Sequence, residues 1–190
     1  MKRVLLVVLT LLTVAAACGI PSDKAPRQIA DDKVPFGLLG PTTTAPANSA
    51  PKGPAVLLYF LDGTQVRGVN RSVPGRDPVS VLNELVKGII DVDPVGITTA
   101  LPKDVQIVGA SLDGATLVVT LNNAILNISG AEQKNAFGQL VYTATDLAGV
   151  DNVRFRIPDA NGVVQDVPTP TDNGAKAGPV DRSDFLSLQH

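Results

Sequence analysis

The chain has 190 residues with 16 basic and 18 acidic side chains, one cysteine and one histidine, and a formal charge of −2. That balance makes nucleic acid an unsuitable partner. A lone cysteine excludes an intramolecular disulfide and a thiolate metal site, and the only histidine is the terminal His190, which disfavours histidine-based catalysis and most transition-metal sites; no metal or cofactor is expected.

Lys2 and Arg3 open the chain, an apolar run follows from Val4 to Val14, and Ala15-Ala16-Ala17 lead into Cys18. A charged start, a short apolar run and small residues before a cleavage point make an export signal, too short for a lasting membrane span. Residues 1–17 resemble a bacterial lipoprotein signal, which implies that Cys18 becomes the first mature residue and carries acyl chains. The competing reading is a plain secretory signal with a free thiol. Removing Lys2 and Arg3 from the 16 basic residues, against 18 acidic ones, leaves a formal charge of −4.

Residues 18–54 read as a lipid-anchored tether rich in Pro, Thr and Ala, with segments such as Pro41-Thr-Thr-Thr-Ala-Pro46. Such a stretch cannot bury enough apolar surface to offset chain entropy. As a coil it would span roughly 35 Å. Within it, Val34-Pro-Phe-Gly-Leu-Leu39 is an apolar island, a docking element or a chance cluster.

From Ala55 the pattern becomes short strands and turns. Ala55–Leu61 and Thr64–Val73 flank Asp62-Gly63, a hairpin signal. Asp77-Pro78 supplies an N-cap and a first-turn proline, and Val79, Leu82, Leu85, Val86 and Ile89 recur at helical spacing. Residues 90–102 read as an irregular connection. A second hairpin joins Val105–Leu112 to Ala115–Leu121 through Asp113-Gly114, with Ala115, Leu117, Val119 and Leu121 on one face.

Ser129 and Glu132 have capping-box spacing, and Phe137, Leu140, Val141, Ala144 and Leu147 form one helical stripe closed by Gly149. Val153, Phe155 and Ile157 alternate with Arg154 and Arg156, and Asn161-Gly162 turns the chain into Val163–Val167. These elements predict an α+β domain over residues 55–167, a largely antiparallel sheet built from hairpins with two helices packed on one face. Residues 168–190 form a tail partly docked on it. Pro168–Gly178 is loop, and Phe185, Leu186 and Leu188 return to the core edge.

Chemistry-bearing patterns are sparse. Ser111 lies in Gly109-Ala-Ser-Leu-Asp-Gly114, which lacks the glycine two places after the serine that a nucleophile elbow needs. A Ser–Lys pair using Lys103 or Lys134 requires only proximity in space. Asp91 and Asp93 sit in a loop without the glycine of a calcium-binding loop and read as solvated turn carboxylates. Arg67 and Arg71, and Arg154 and Arg156, are candidates for binding a carboxylate or phosphate partner, set against an ordinary solvated sheet face.

Leu58-Tyr-Phe-Leu61, Arg71-Ser-Val-Pro74, Thr98-Thr-Ala-Leu-Pro102, Gln139-Leu-Val-Tyr-Thr143 and Val150-Asp-Asn-Val-Arg-Phe155 resemble the GerMN domain, the module of the spore-germination protein GerM found in lipoproteins of Gram-positive bacteria. Thr120-Leu121-Asn122 stands where that family often has Asp-Leu-Ser, so no acidic role carries over. The resemblance implies a small α+β fold akin to ring-building domains, protein contacts at the cell envelope and no catalytic residues. The expectation is a non-catalytic lipoprotein on the outer face of the cytoplasmic membrane, held through Cys18 and contacting an envelope or membrane protein in a cell-envelope or signalling assembly. A carrier for an apolar or envelope-derived ligand is the alternative, and a wall-modifying hydrolase a more distant one.

Overall fold

The computed structural model describes residues 53–190. The signal, most of the tether, the apolar island and Cys18 lie outside the described residues.

β1 (Ala55–Asp62) and β2 (Gln65–Ser72) form the first predicted hairpin, in register from Ala55↔Ser72 to Asp62↔Gln65. Gly63 turns the chain at φ 63°, a left-handed backbone that other residues adopt only with strain. In α1 (Pro78–Val86) the Asp77 carboxylate accepts from the Ser80 amide at 2.9 Å, and Pro78 sits where no amide donor is needed. Val81, Leu82 and Leu85 are its buried face. The helix stops before Gly88, so Ile89 falls outside the stripe and is exposed.

The stretch expected to be irregular contains β3 (Ile97–Thr98), which pairs with β1 at Leu61 and Asp62. β4 (Ile107–Asp113) and β5 (Thr116–Leu121) make the second hairpin. Leu117, Val119 and Leu121 are fully buried, while Ala115 belongs to the turn.

α2 (Gly130–Ala144) has Ser129 at its N-cap, but that side chain makes no capping hydrogen bond and the expected box does not form. The Gln133 side chain donates from Nε2 to the Ile125 carbonyl at 3.1 Å instead. Every residue from Ala136 to Ala144 is buried, not only the predicted stripe. The reason is that the C-terminal segment covers Gly138 and Tyr142, while β1 and the Ala100 backbone cover Gln139 and Thr143. A Cβ on Gly138 would come within 2.3 Å of Leu188 Cδ1.

β6 (Asn152–Pro158) runs parallel to β5, from Thr116↔Asn152 to Thr120↔Arg156, so β5, α2 and β6 form a crossover unit. β7 (Val164–Asp166) closes the third hairpin against β6. Strands β1 to β7 therefore form two sheets, β2-β1-β3 and a mixed β4-β5-β6-β7. The class is α+β. α2 lies against β1 and α1, and meets β6 through the edge-to-face pair Phe137–Phe155 at 4.8 Å.

Where a loop was expected, β8 (Thr169–Thr171) and β9 (Gly174–Lys176) form a two-stranded ribbon. A 3₁₀ turn over Arg182–Leu188 follows, opened by a reciprocal Asp181–Asp184 capping box. Phe185 and Leu188 are buried and Leu186 is exposed. Arg182 ties this turn to the end of α2, donating to Thr145 Oγ1 at 2.7 Å and the Tyr142 carbonyl at 2.9 Å. A cation there also complements the negative end of the helix dipole.

One device joins helix to strand without a ladder. The Tyr59 amide donates to Thr143 Oγ1 at 3.0 Å, and Gln139 Nε2 donates to the Tyr59 carbonyl at 3.1 Å. Gln139 Oε1 accepts from the Ala100 amide at 2.7 Å. Gln139 is fully buried, which its satisfied amide makes tolerable. These residues lie in Thr98–Pro102 and Gln139–Thr143, so those two segments of the resemblance carry a structural role.

Candidate interaction surface

Arg154 and Arg156 alternate along β6 with the buried Val153, Phe155 and Ile157, so they project from the opposite sheet face. Each side chain is 40% exposed. Both approach Asp166 of β7, Arg154 Nη1 at 3.7 Å and Arg156 Nε at 3.2 Å, and Arg156 Nη2 donates to the Val164 carbonyl at 3.1 Å. Two guanidinium groups thus share one carboxylate, and the surface keeps a surplus positive charge. Val118 and Thr120 are their cross-strand neighbours on β5.

The other two candidates belong to the other sheet. Arg67 is exposed and pairs with Asp62 at 3.1 Å. Arg71 is not on an accessible face. Its side chain is 4% exposed and forms ion pairs with Asp93, itself 1% exposed, and with Glu84 at 3.7 Å. The guanidinium also lies 4.8 Å from the centre of the Phe60 ring. The four arginines therefore do not make one patch, and Arg71 is a buried structural ion rather than a docking residue. Asp93, read as a solvated turn carboxylate, is its partner. The signal for this was Val69, which shares a strand face with both arginines and is buried.

The arrangement nearest to catalytic chemistry is Lys134, Asp172 and Ser187. Lys134 Nζ donates to Asp172 Oδ1 at 2.7 Å and to Ser187 Oγ at 2.8 Å. Ser187 Oγ itself donates to Asp172 Oδ1, so all three side chains are engaged with one another. The trio therefore fastens the C-terminal turn to α2. Burial pushes the Asp172 carboxyl up, but hydrogen bonds from Lys134 and Ser187 outweigh it and hold it at about 2, below the ordinary 3.8. A depressed carboxylate stabilises the fold above its ordinary range and loses that contribution as pH falls from about 4 towards 2. Asp172→Asn should flatten the pH dependence of the unfolding midpoint in that window. An unchanged profile would show that Asp172 contributes nothing to acid unfolding.

Ser111 lies within β4, two residues before Asp113, and not at a strand-to-helix turn. Among the described residues no group of three or more His, Cys, Asp or Glu side chains is placed to hold a metal ion, and no helix is long and apolar enough to cross a membrane. A groove of about 630 Å³ opens beside β1, lined by Ala55, Val56, Leu57, Pro78, Leu112 and Leu147 among others, with Arg76 also on its wall.

The sequence matches the Germane family, described as sporulation and spore germination, over residues 57–162, and the chain belongs to that family. Among solved structures it is similar to the tandem GerMN domains of the sporulation protein GerM from Bacillus subtilis, with 20% identity and a TM-score of 0.51 over 71% of this chain and 50% of that one. The chain thus spans half the length of that relative. It is also similar to the first GerMN domain of the same protein, with 19% identity and a TM-score of 0.49 over 70% of this chain and 96% of that one. A Clostridium perfringens protein provisionally described as a lipoprotein matches with 16% identity and a TM-score of 0.46, over 72% of this chain and 93% of that one. At 20% identity the likeness to the tandem GerMN domains shows the fold alone. No curated protein matches the sequence.

Proposed function

We propose that this Germane-family chain is a non-catalytic, extracytoplasmic lipoprotein whose domain docks an acidic protein partner in a cell-envelope assembly. Acylated Cys18 anchors it to the outer face of the cytoplasmic membrane, residues 18–54 act as the tether, residues 55–167 form the domain, and residues 168–190 strap it. The observation that carries the reading is the exposed face of β6, where Arg154 and Arg156 share Asp166 and retain net positive charge. Arg67, on the other sheet, is a secondary contact. Guanidinium groups suit bidentate binding of carboxylates.

Cross-linking and recovery from native membranes tests this. Reversing Arg154 and Arg156 to Glu should abolish partner recovery while circular dichroism stays unchanged, since neither side chain enters the core. Asp166→Asn should strengthen recovery by releasing both guanidinium groups, and rising salt should weaken it. A Cys18→Ser arm should lose normal processing and membrane retention. Equal recovery by parent and doubly reversed chains would return the arginines to an ordinary solvated face.

A further inference from the structure

β1 has an open edge. On one side β2 pairs along its whole length, but on the other β3 reaches only Leu61 and Asp62, and the side chains of α2 serve only Tyr59. Residues two apart in a strand share an edge, so Ala55 and Leu57 turn their amides and carbonyls to the same side as Tyr59. Among the described residues nothing pairs with them there. The edge borders the groove of about 630 Å³, a volume within the range of ligand clefts, whose apolar wall includes Leu57, Leu112 and Leu147. Leu112, near the end of β4, is 53% exposed. The two charged side chains on the wall stand at opposite ends. Arg76 follows the point where the Val73 amide donates to the Pro54 carbonyl at 3.1 Å, so it marks the Ala55 end, and it is exposed with no ion pair among the described residues. Asp146 comes shortly after Thr143, the acceptor of the Tyr59 amide, so it marks the Tyr59 end, and its pair with Arg182 at 3.4 Å leaves its side chain 38% exposed.

We infer that this groove takes an extended peptide segment of a partner protein, added to β1 as an antiparallel strand, apolar between a basic residue at its N-terminal end and an acidic residue at its C-terminal end. An unpaired edge is a template for another strand, and the free amides and carbonyls of Ala55 and Leu57 supply the ladder. Antiparallel pairing is the stronger mode, and it fixes the direction. The added strand enters beside Asp146 and leaves beside Arg76, so each wall charge meets its opposite. Successive side chains of a strand point to opposite faces, and apolar ones on the groove side cover Leu112 and Leu147. The ladder stops at Tyr59, whose amide and carbonyl are already taken by Thr143 and Gln139. A segment of about five residues, at roughly 3.3 Å each, matches the stretch from Ala55 to Tyr59. The groove flanks the sheet that does not contain β6, so this contact is separate from the one carried by Arg154 and Arg156.

Amide hydrogen exchange of the whole chain tests the inference, with the end-blocked pentapeptide Lys-Val-Thr-Val-Glu as the probe and its charge-reversed form Glu-Val-Thr-Val-Lys as the comparison. The probe at millimolar concentration should slow exchange of the Ala55 and Leu57 amides at least about tenfold. The Val56 and Leu58 amides, already turned to β2, should not change. The reversed peptide should protect clearly less, and Arg76→Glu should erase the difference between the two, while an unchanged Leu140 amide in α2 reports an intact fold. Absence of protection, or protection by the reversed peptide that equals or exceeds that of the probe, overturns the proposal. So does protection of Ala55 and Leu57 in the chain alone that falls on dilution, which would assign the edge to a second copy.

Discussion

Arg71→Ala should lower the unfolding free energy by about 3 to 5 kcal/mol, the range for breaking a buried pair by removing one partner. The substitution strands the buried Asp93 and empties the space over Phe60, while Glu84 of α1 keeps Lys87 at 2.7 Å. Arg67→Ala, four residues earlier on the same strand, should cost at most about 1 kcal/mol, because its pair with Asp62 is solvated. Urea midpoints of the two variants make the comparison direct. If both fell by the same small amount, the buried ion pair would have no structural weight.

Truncation after Val167 should abolish cooperative unfolding, although the family match ends at residue 162. The lost segment contributes Val180, Phe185 and Leu188 to the core, and Val180 exchanges two backbone hydrogen bonds with Val153, each 2.8 Å. Phe185→Ala alone should cost about 3 to 5 kcal/mol, as for other fully buried aromatic side chains. Far-ultraviolet circular dichroism during thermal unfolding would read both. A truncated chain melting as sharply as the parent would show that the strap is dispensable.

The elements that sequence made legible are those whose signal is local. Asp62-Gly63, Asp113-Gly114 and Asn161-Gly162 each sit at a hairpin turn, with the glycine at positive φ. Alternation along Leu117, Val119 and Leu121, and along Val153, Phe155 and Ile157, matches the buried face of the mixed sheet. What sequence did not show is direction and distance. Alternation is the same in parallel and antiparallel strands, so the crossover from β5 to β6 carried no periodic mark of its own. β3 has two residues and β8 and β9 have three each, too few for any period. Ser129 and Glu132 had the right spacing, but whether a cap forms depends on where the 3₁₀ turn Asn123–Asn127, which precedes α2, delivers the chain.

At the candidate surface the same division holds. Arg154 and Arg156 were placed by their alternation with Phe155, a neighbour in sequence. Arg71 was misplaced because its partner Asp93 is 22 residues away and arrives from a loop. Nothing local distinguishes an arginine facing water from one facing a distant carboxylate, except the company of Val69.

The closing of Tyr59 by Gln139 and Thr143 also sets an order of events. The β1–β2 hairpin is made of adjacent sequence, yet its partners on α2 lie 80 and 84 residues further on. A chain growing from its N-terminus carries that hairpin with its second edge unsatisfied until residue 143 has joined. Contacts of such long range make folding slower than local ones do. Chains interrupted between Ser72 and Gln139 would present a complete hairpin with a bare, apolar-flanked edge, the species from which strand-mediated aggregation starts. Synthesis that stalls there is the point at which this domain is most exposed to loss.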